Sequence, residues 1–232
     1  MTGEKVMILW QELAGAPDDA EKTRAFCDAV LLLTHNPDEW KKNRSDVMEK
    51  LQVLADKDCA GALTAAGIIL KSSREKTDRV KALEMLEKAA GLGDEMALRI
   101  FGEICRDGMP GIFERDPEKA RECFEKLDEA GNELGSVLLA KLYRMDNDVI
   151  ERDYMKAFSL LEKAAEKKDS RMSWAAYDVG LAYQGGKEEV PKDPEKAAAF
   201  FTKAQEGGIF TEPKIKAALK AAQTFEKPTE KK

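Results

Sequence analysis

At 232 residues with 43% hydrophobic side chains, the chain is long and apolar enough to bury a core, which excludes global disorder. Its 44 acidic against 38 basic residues leave a net charge of −6, which argues against nucleic acid or an anionic membrane surface as the main partner. Charged residues make up 35% of the chain, and no run approaches the roughly 20 apolar residues of a membrane-spanning helix, so membrane insertion is not expected.

At the amino terminus the apolar run Val6 to Trp10 is too short for a signal peptide and Gln11 and Glu12 follow at once; with residue 1 as the natural start, the expectation is a cytoplasmic protein. The spacing predicts a helix over residues 4–14 carrying Val6, Leu9, Trp10 and Leu13 on one face. Pro17-Asp18-Asp19 opens a second, with Phe26, Val30 and Leu33 inward, which stops before Asn36-Pro37. Asn36 caps a third, with Pro37 in its first turn, running through Trp40, Val47, Leu51 and Leu54. Residues 1–58 are read as an amino-terminal helical cap, because a terminal repeat exposes a stacking face that must be covered.

From residue 59 the chain repeats itself. Asp116-Pro117-Glu118-Lys119-Ala120 recurs identically at Asp193-Pro194-Glu195-Lys196-Ala197, with looser copies from Asp153 to Ala157 and from Asp78 to Ala82. The Asp positions are 38, 37 and 40 residues apart, and a fixed period of that size marks stacked structural repeats. Four units are expected, over 59–94, 95–132, 133–172 and 173–210. The first helix of each is centred on a small residue, Gly67, Gly102, Ala140 or Gly180, where two helix backbones approach closely. A loop of 7 to 10 residues follows, and three residues before the Asp it carries an apolar plug, Phe113, Ile150 or Val190; the first copy has Glu75 there. The Asp itself is read as a helix cap, since its side chain can accept from the first, otherwise unpartnered amides of the second helix.

Counting from the repeated Lys, the first, fourth, fifth and eighth following positions are apolar in every copy. They read Ala82, Met85, Leu86, Ala89; Ala120, Cys123, Phe124, Leu127; Ala157, Leu160, Leu161, Ala164; and Ala197, Phe200, Phe201, Ala204. That spacing is one stripe of an α-helix. The Lys itself is expected to stay in water. Units end near Gly93, Gly131 and Gly208, the usual left-handed stop, with Lys168 the exception. Residues 211–232 are expected to form a carboxy-terminal capping helix bearing Ile215, Ala218, Leu219, Ala222 and Phe225, followed by a frayed tail.

These features together resemble the Sel-one-like repeat, the longer-loop relative of the tetratricopeptide repeat. The fourth copy carries the resemblance best, in Ala175, Gly180, Tyr183, Gly186, Val190, Lys192-Asp193, Lys196-Ala197, Phe201, Lys203-Ala204 and Gly208. It implies an all-α fold, an α-solenoid of paired helices that acts as an adaptor, scaffold or regulator in protein complexes. Alternatives implied by relatives of this kind are a hydrolase, as proposed for a cysteine-rich branch, or a bacterial effector or immunity-type protein. Cys27, Cys59, Cys105 and Cys123 form no close sequence pair and do not follow the repeat, so reduced thiols are expected and a disulfide ladder is not.

Stacking turns equivalent positions into columns. Four residues after each central small residue stand Lys71, Arg106, Arg144 and Gln184, a track suited to an acidic peptide or a partner's carboxylates, or else a solvated helix edge balanced by Glu103 and Asp107. Arg99 and Tyr177 from the column with Thr64 and Val137, and Lys141 from the column with Ile68, Glu103 and Leu181, are placed on the same concave face; Trp174 adds an aromatic anchor. The Lys column of the second helices, Lys88, Lys126, Lys163 and Lys203, is read as outer surface, with Glu84–Lys88 as a helical pair. The single histidine, His35, cannot build the usual triads or a His-based zinc site, and no GxxxxGK, HExxH or GxGxxG occurs. Catalytic residues, cofactor and metal are therefore all expected to be none, and the partner a protein or peptide.

Overall fold

The computed structural model describes residues 1–17, 19–145, 149–166, 172–186, 190–208, 216–217 and 220. Among them are eleven α-helices: α1 (Gly3–Ala14), α2 (Ala20–Leu33), α3 (Pro37–Ala55), α4 (Ala60–Lys71), α5 (Lys76–Gly91), α6 (Glu95–Asp107), α7 (Pro117–Glu129), α8 (Glu133–Arg144), α9 (Tyr154–Glu166), α10 (Ser173–Gly185) and α11 (Pro194–Glu206). The packing divides the chain into two units, Met1–Cys123 and Phe124–Lys232, with the boundary inside α7. Apart from Lys216, Ala217 and Lys220, the expected carboxy-terminal capping helix falls outside the described residues, as does Lys168.

In the first unit, α2 and α3 both pack on α4, and α4 packs on α5. The core of this end joins Val6 and Leu13 of α1, Phe26 and Val30 of α2, Val47 and Leu51 of α3, and Ala62 and Ala65 of α4, all essentially solvent-free. Trp10 tilts against Phe26 with ring centroids 5.3 Å apart. The start of α1 is pinned from outside, as the Gly3 amide donates to Glu39 Oε2 at 2.8 Å. That backbone hydrogen bond holds the Glu39 carboxyl below its ordinary range. In the second unit α8, α9, α10 and α11 each pack on the next.

The predicted stripes are the buried faces. Fourteen of the sixteen second-helix positions are buried and only Met85 and Leu160 are half-buried. Fully burying a side chain such as Leu86 or Phe201 contributes about 1.5–3 kcal/mol. The central small residues do what their size suggests. A Cβ added to Gly67 would stand 2.7 Å from Leu86 Cγ, and one added to Gly180 would stand 2.6 Å from Phe201 Cε1. Gly93, Gly131 and Gly208 have φ of +86°, +82° and +70°, the left-handed stop expected at unit ends.

The capping Asp performs as predicted in three copies and fails in one. Asp116, Asp153 and Asp193 each accept from the amide three residues on, at 3.0, 2.8 and 3.0 Å. Asp78 is no cap, because α5 starts two residues earlier, at Lys76, and Asp78 lies inside it. There Ser73 Oγ donates to Asp78 Oδ2 at 2.8 Å and accepts from the Glu75 amide at 3.2 Å, so a serine in the loop organises the helix start. The three true caps share a second contact: their amides donate to the carbonyls of Cys105, Tyr143 and Tyr183, at 2.8, 3.0 and 3.0 Å. Each thus ties the loop back to the end of the first helix. Ile150 and Val190 are buried plugs, whereas Phe113 is half-buried and shares the role with Met109.

The repeated Lys is exposed in three copies, Lys81, Lys156 and Lys196, as expected, and half-buried at Lys119; in the last three copies it also makes a contact. Lys156 donates to Tyr143 Oη at 2.7 Å with its ammonium 4.2 Å from the ring centroid. Lys196 repeats this on Tyr183, at 3.2 and 4.9 Å. In the second copy the tyrosine position is Cys105; Lys119 reaches Glu87 at 2.7 Å and sits 5.7 Å from the Phe101 centroid. A cation over an aromatic face is worth about 0.5–1 kcal/mol at exposed sites, which favours this placement over free solvation. Lys88, expected to pair with Glu84, reaches Asp58 instead, and Lys163 reaches Asp128 at 2.7 Å.

Two outcomes follow for unfolding measured by urea titration. Gly180→Ala should lower stability, since overpacking against Phe201 costs about 1–3 kcal/mol and outweighs the ~1 kcal/mol gained in helix propensity; Gly91→Ala, with open space around its Cβ, should raise it by up to ~1 kcal/mol. Asp116→Ala, Asp153→Ala and Asp193→Ala should each cost about 1 kcal/mol.

Candidate functional site

The predicted surface residues lie on the first helices of the repeats, and the structure sorts them by availability. In the first unit Lys71 is the exposed last residue of α4. Arg99 is half-buried and pairs with Glu103 one turn on, at 3.5 Å. Arg106 is engaged more firmly. Its Nε and Nη2 donate to the two carboxylate oxygens of Asp107 at 2.8 and 2.7 Å, and its side chain is 13% exposed. This fork raises the Arg106 pKa against the opposing effect of burial. Arg106 is therefore half of an ion pair rather than an open cation.

In the second unit Lys141 and Arg144 are exposed near the end of α8. Trp174, Tyr177 and Gln184 are half-buried on α10, and the Tyr177 ring lies 5.7 Å from that of Phe201. Two members of the predicted lining columns turn inward: Val137 is 4% exposed, and Thr64 is 3% exposed with its hydroxyl 2.9 Å from Asp94 Oδ1. They are structural. Leu181 is exposed beside the polar positions of α10.

The structure adds Asp178, which the sequence reading passed over. Burial raises its carboxyl pKa, and neighbouring Arg144 acts in the opposite sense. A signal for it was present: two residues before each central small residue the column reads Ala65, Ile100, Leu138 and Asp178, and the other three are buried apolar side chains. An acid in an otherwise apolar column is out of pattern, and here it lies next to the exposed Arg144.

Tyr183 anchors the core beneath. Its hydroxyl donates to Glu162 Oε1 at 2.6 Å while accepting from Lys196, and its ring meets Phe158 edge-on and stacks on Phe200 at 6.0 Å. Burial, and then the bond to Glu162, push its pKa up. Elsewhere, Cys27 and Cys59 are brought together although they stand far apart in sequence. Cys59 is lowered to about 6, chiefly by hydrogen bonding with the Cys27 thiol, which is itself raised by that contact and by burial. Burial pushes Cys105 up to about 12. Among the described residues no group of three or more His, Cys, Asp or Glu is placed to hold a metal ion, and no helix is long and apolar enough to cross a membrane. An open depression of about 350 Å³ between α3, α4 and α5, with Leu63, Glu84, Met85 and Lys88 in its walls, contains none of the residues predicted to bind a partner.

A family model of the Sel1 repeat matches residues 67–94, 100–132, 134–169 and 175–208, more than half of the chain. Among solved structures, the chain is similar to a Sel1 repeat protein from Oxalobacter formigenes, with 20% identity, 89% of this chain and 85% of that one covered, and a TM-score of 0.63. It is also similar to a protective antigen of uropathogenic Escherichia coli strains displaying an SLR fold, with 18% identity and a TM-score of 0.53, where 93% of this chain corresponds to 55% of that one. At these identities the likeness establishes the fold, an all-α helical-repeat solenoid. No curated protein matches the sequence.

The Asp178 environment gives a signed pH dependence. Its native pKa is raised, so its ionised form weakens the fold; the penalty is present above the native pKa and is relieved as pH falls through it. Asp178→Asn should therefore be more stable than the parent at neutral pH, and thermal unfolding should show the difference closing as the pH approaches 4.

Proposed function

The chain belongs to the Sel1 repeat family, and on that premise we propose that it is an adaptor or regulator that binds an acidic protein segment along the first helices of its repeats. Sel1 repeats mediate protein–protein interaction, and proteins built from them are typically non-catalytic binding modules. The observation that carries the finer reading is the unequal use of the repeated cations. The motif lysines Lys119, Lys156 and Lys196 lean on an ion pair or on aromatic faces of their own unit, whereas Lys71 and Lys141 stand exposed on the first helices, with Arg144, itself beside Asp178, exposed near Lys141. Leu181 supplies apolar contact on the same kind of helix, and Trp174 and Tyr177 offer half-buried aromatic edges. An acidic segment would gain charge-assisted hydrogen bonds from the exposed cations and desolvation from the aromatic rim.

The test is affinity capture from the source cell with the parent and with Lys71→Glu/Lys141→Glu/Arg144→Glu, both checked by circular dichroism. The variant should keep its helicity and recover the captured partner at least about tenfold less well, about 1.4 kcal/mol, with parent binding weakened by added salt. Equal recovery by both proteins would remove the first-helix cations from the binding surface.

A further inference from the structure

We propose that Cys27 and Cys59 form a peroxide-responsive thiol pair, in which Cys59 is oxidised first and Cys27 closes a disulfide tying α2 to the start of α4. The geometry is specific to this pair. Cys27 is 4% exposed in the core between α2 and α4. Cys59 is half-buried and occupies the residue before the first turn of α4. A Cβ added to Gly61, two residues beyond Cys59, would stand 3.7 Å from Cys27 Sγ, which places the α2 thiol at the amino-terminal end of α4.

At that helix start the Cys59 pKa is held down against burial, chiefly by the neighbouring Cys27 thiol and then by the nearby Ala62 and Gly61 amides. Asp28 beside Cys27 and Asp94 near both sulfurs oppose a negative charge, but the donors outweigh them at Cys59. A helix start with converging N–H groups stabilises a thiolate, and a partly exposed thiolate beside a second thiol is the arrangement in which oxidation ends in a disulfide. The remaining cysteines lack these features. Cys105 and Cys123 are buried on helix stripes, and Cys105 is held protonated by burial.

The chemistry balances with hydrogen peroxide as the oxidant. The Cys59 thiolate attacks one peroxide oxygen; an S–O bond forms, the O–O bond breaks, and hydroxide leaves to become water with a solvent proton. Sulfur loses two electrons and the peroxide gains them. The product at Cys59 is a neutral sulfenic acid, so the negative charge that kept Cys27 protonated is gone. Cys27 sulfur then attacks Cys59 sulfur, the S–O bond breaks, and the hydroxyl leaves as water with the Cys27 proton. The result is one S–S bond and two waters per peroxide, and it clips the amino-terminal helices to the first repeat.

The full chain is treated with dilute hydrogen peroxide at neutral pH, and thiols are mapped by alkylation and peptide mass spectrometry. The parent should form the Cys27–Cys59 disulfide, with Cys59 consumed at least about tenfold faster than Cys105 or Cys123. Cys27→Ala should trap a sulfenic acid at Cys59 that reacts with dimedone. Cys59→Ser, a near-isosteric change, should oxidise only at the slow rate of the buried thiols. Faster oxidation at Cys105 or Cys123 in the parent, absence of the Cys27–Cys59 bond, or parent-like oxidation of Cys59→Ser would each overturn the proposal. The parent mapping decides the matter even if a variant fails to fold.

Discussion

The close approach of two helix backbones inside a repeat is the constraint on which the other features depend. At Gly67 and Gly180 the volume a Cβ would need is already filled by Leu86 or by the Phe201 ring. A packed interior cannot absorb an extra methyl group without moving something, so the pair is fixed at one separation. With that separation fixed, the loop leaving the first helix must return over a set distance. The amides of Asp116, Asp153 and Asp193 then reach the carbonyls of Cys105, Tyr143 and Tyr183. The helix-start signal and the loop clamp are two ends of one residue.

The motif lysine extends the same economy. It follows the cap by three residues, so its side chain leans back over the first helix, where Tyr143 or Tyr183 presents a ring face and a hydroxyl. Where the tyrosine is replaced by Cys105, the lysine swings to Glu87 on the preceding second helix. In the last three units the evenly spaced cation is therefore a packing element as well as a solvated one. Lys71, Lys141 and Arg144 also face solvent, outside the motif and on the other helix.

Much of this was legible in the sequence because it rests on periodicity. The stripe of Ala82, Leu86 and Ala89 and its three counterparts is a repeated apolar spacing, and buried spacing is what a solenoid preserves. What escaped was of another kind. Asp78 was read as a cap from its register alone, yet the local competition between Ser73 and Asp78 starts α5 at Lys76. For Arg106 the column alone left two readings open, and the structure takes the balanced one, with Asp107, the next residue, closing on it. The Cys27–Cys59 contact joins the irregular helices to the first repeat, where no period exists to foretell it. Asp178 could have been found from its apolar column, since the deviation itself was written in the repeat.

The Thr64–Asp94 hydrogen bond has a consequence for how the array forms. Asp94 caps α6 through the Ala97 amide at 2.8 Å, and the same oxygen is held by Thr64 of the preceding repeat. Asp128 of α7 likewise meets Ser136 of α8 and Lys163 of α9. The signal that begins α6 is thus completed by a side chain of the preceding repeat, so part of that helix's nucleation cost falls only when its neighbour has ordered. Order should spread across such a bond as a propagating front, and the length of segment that melts together depends on these inter-repeat bonds as well as on the helices themselves.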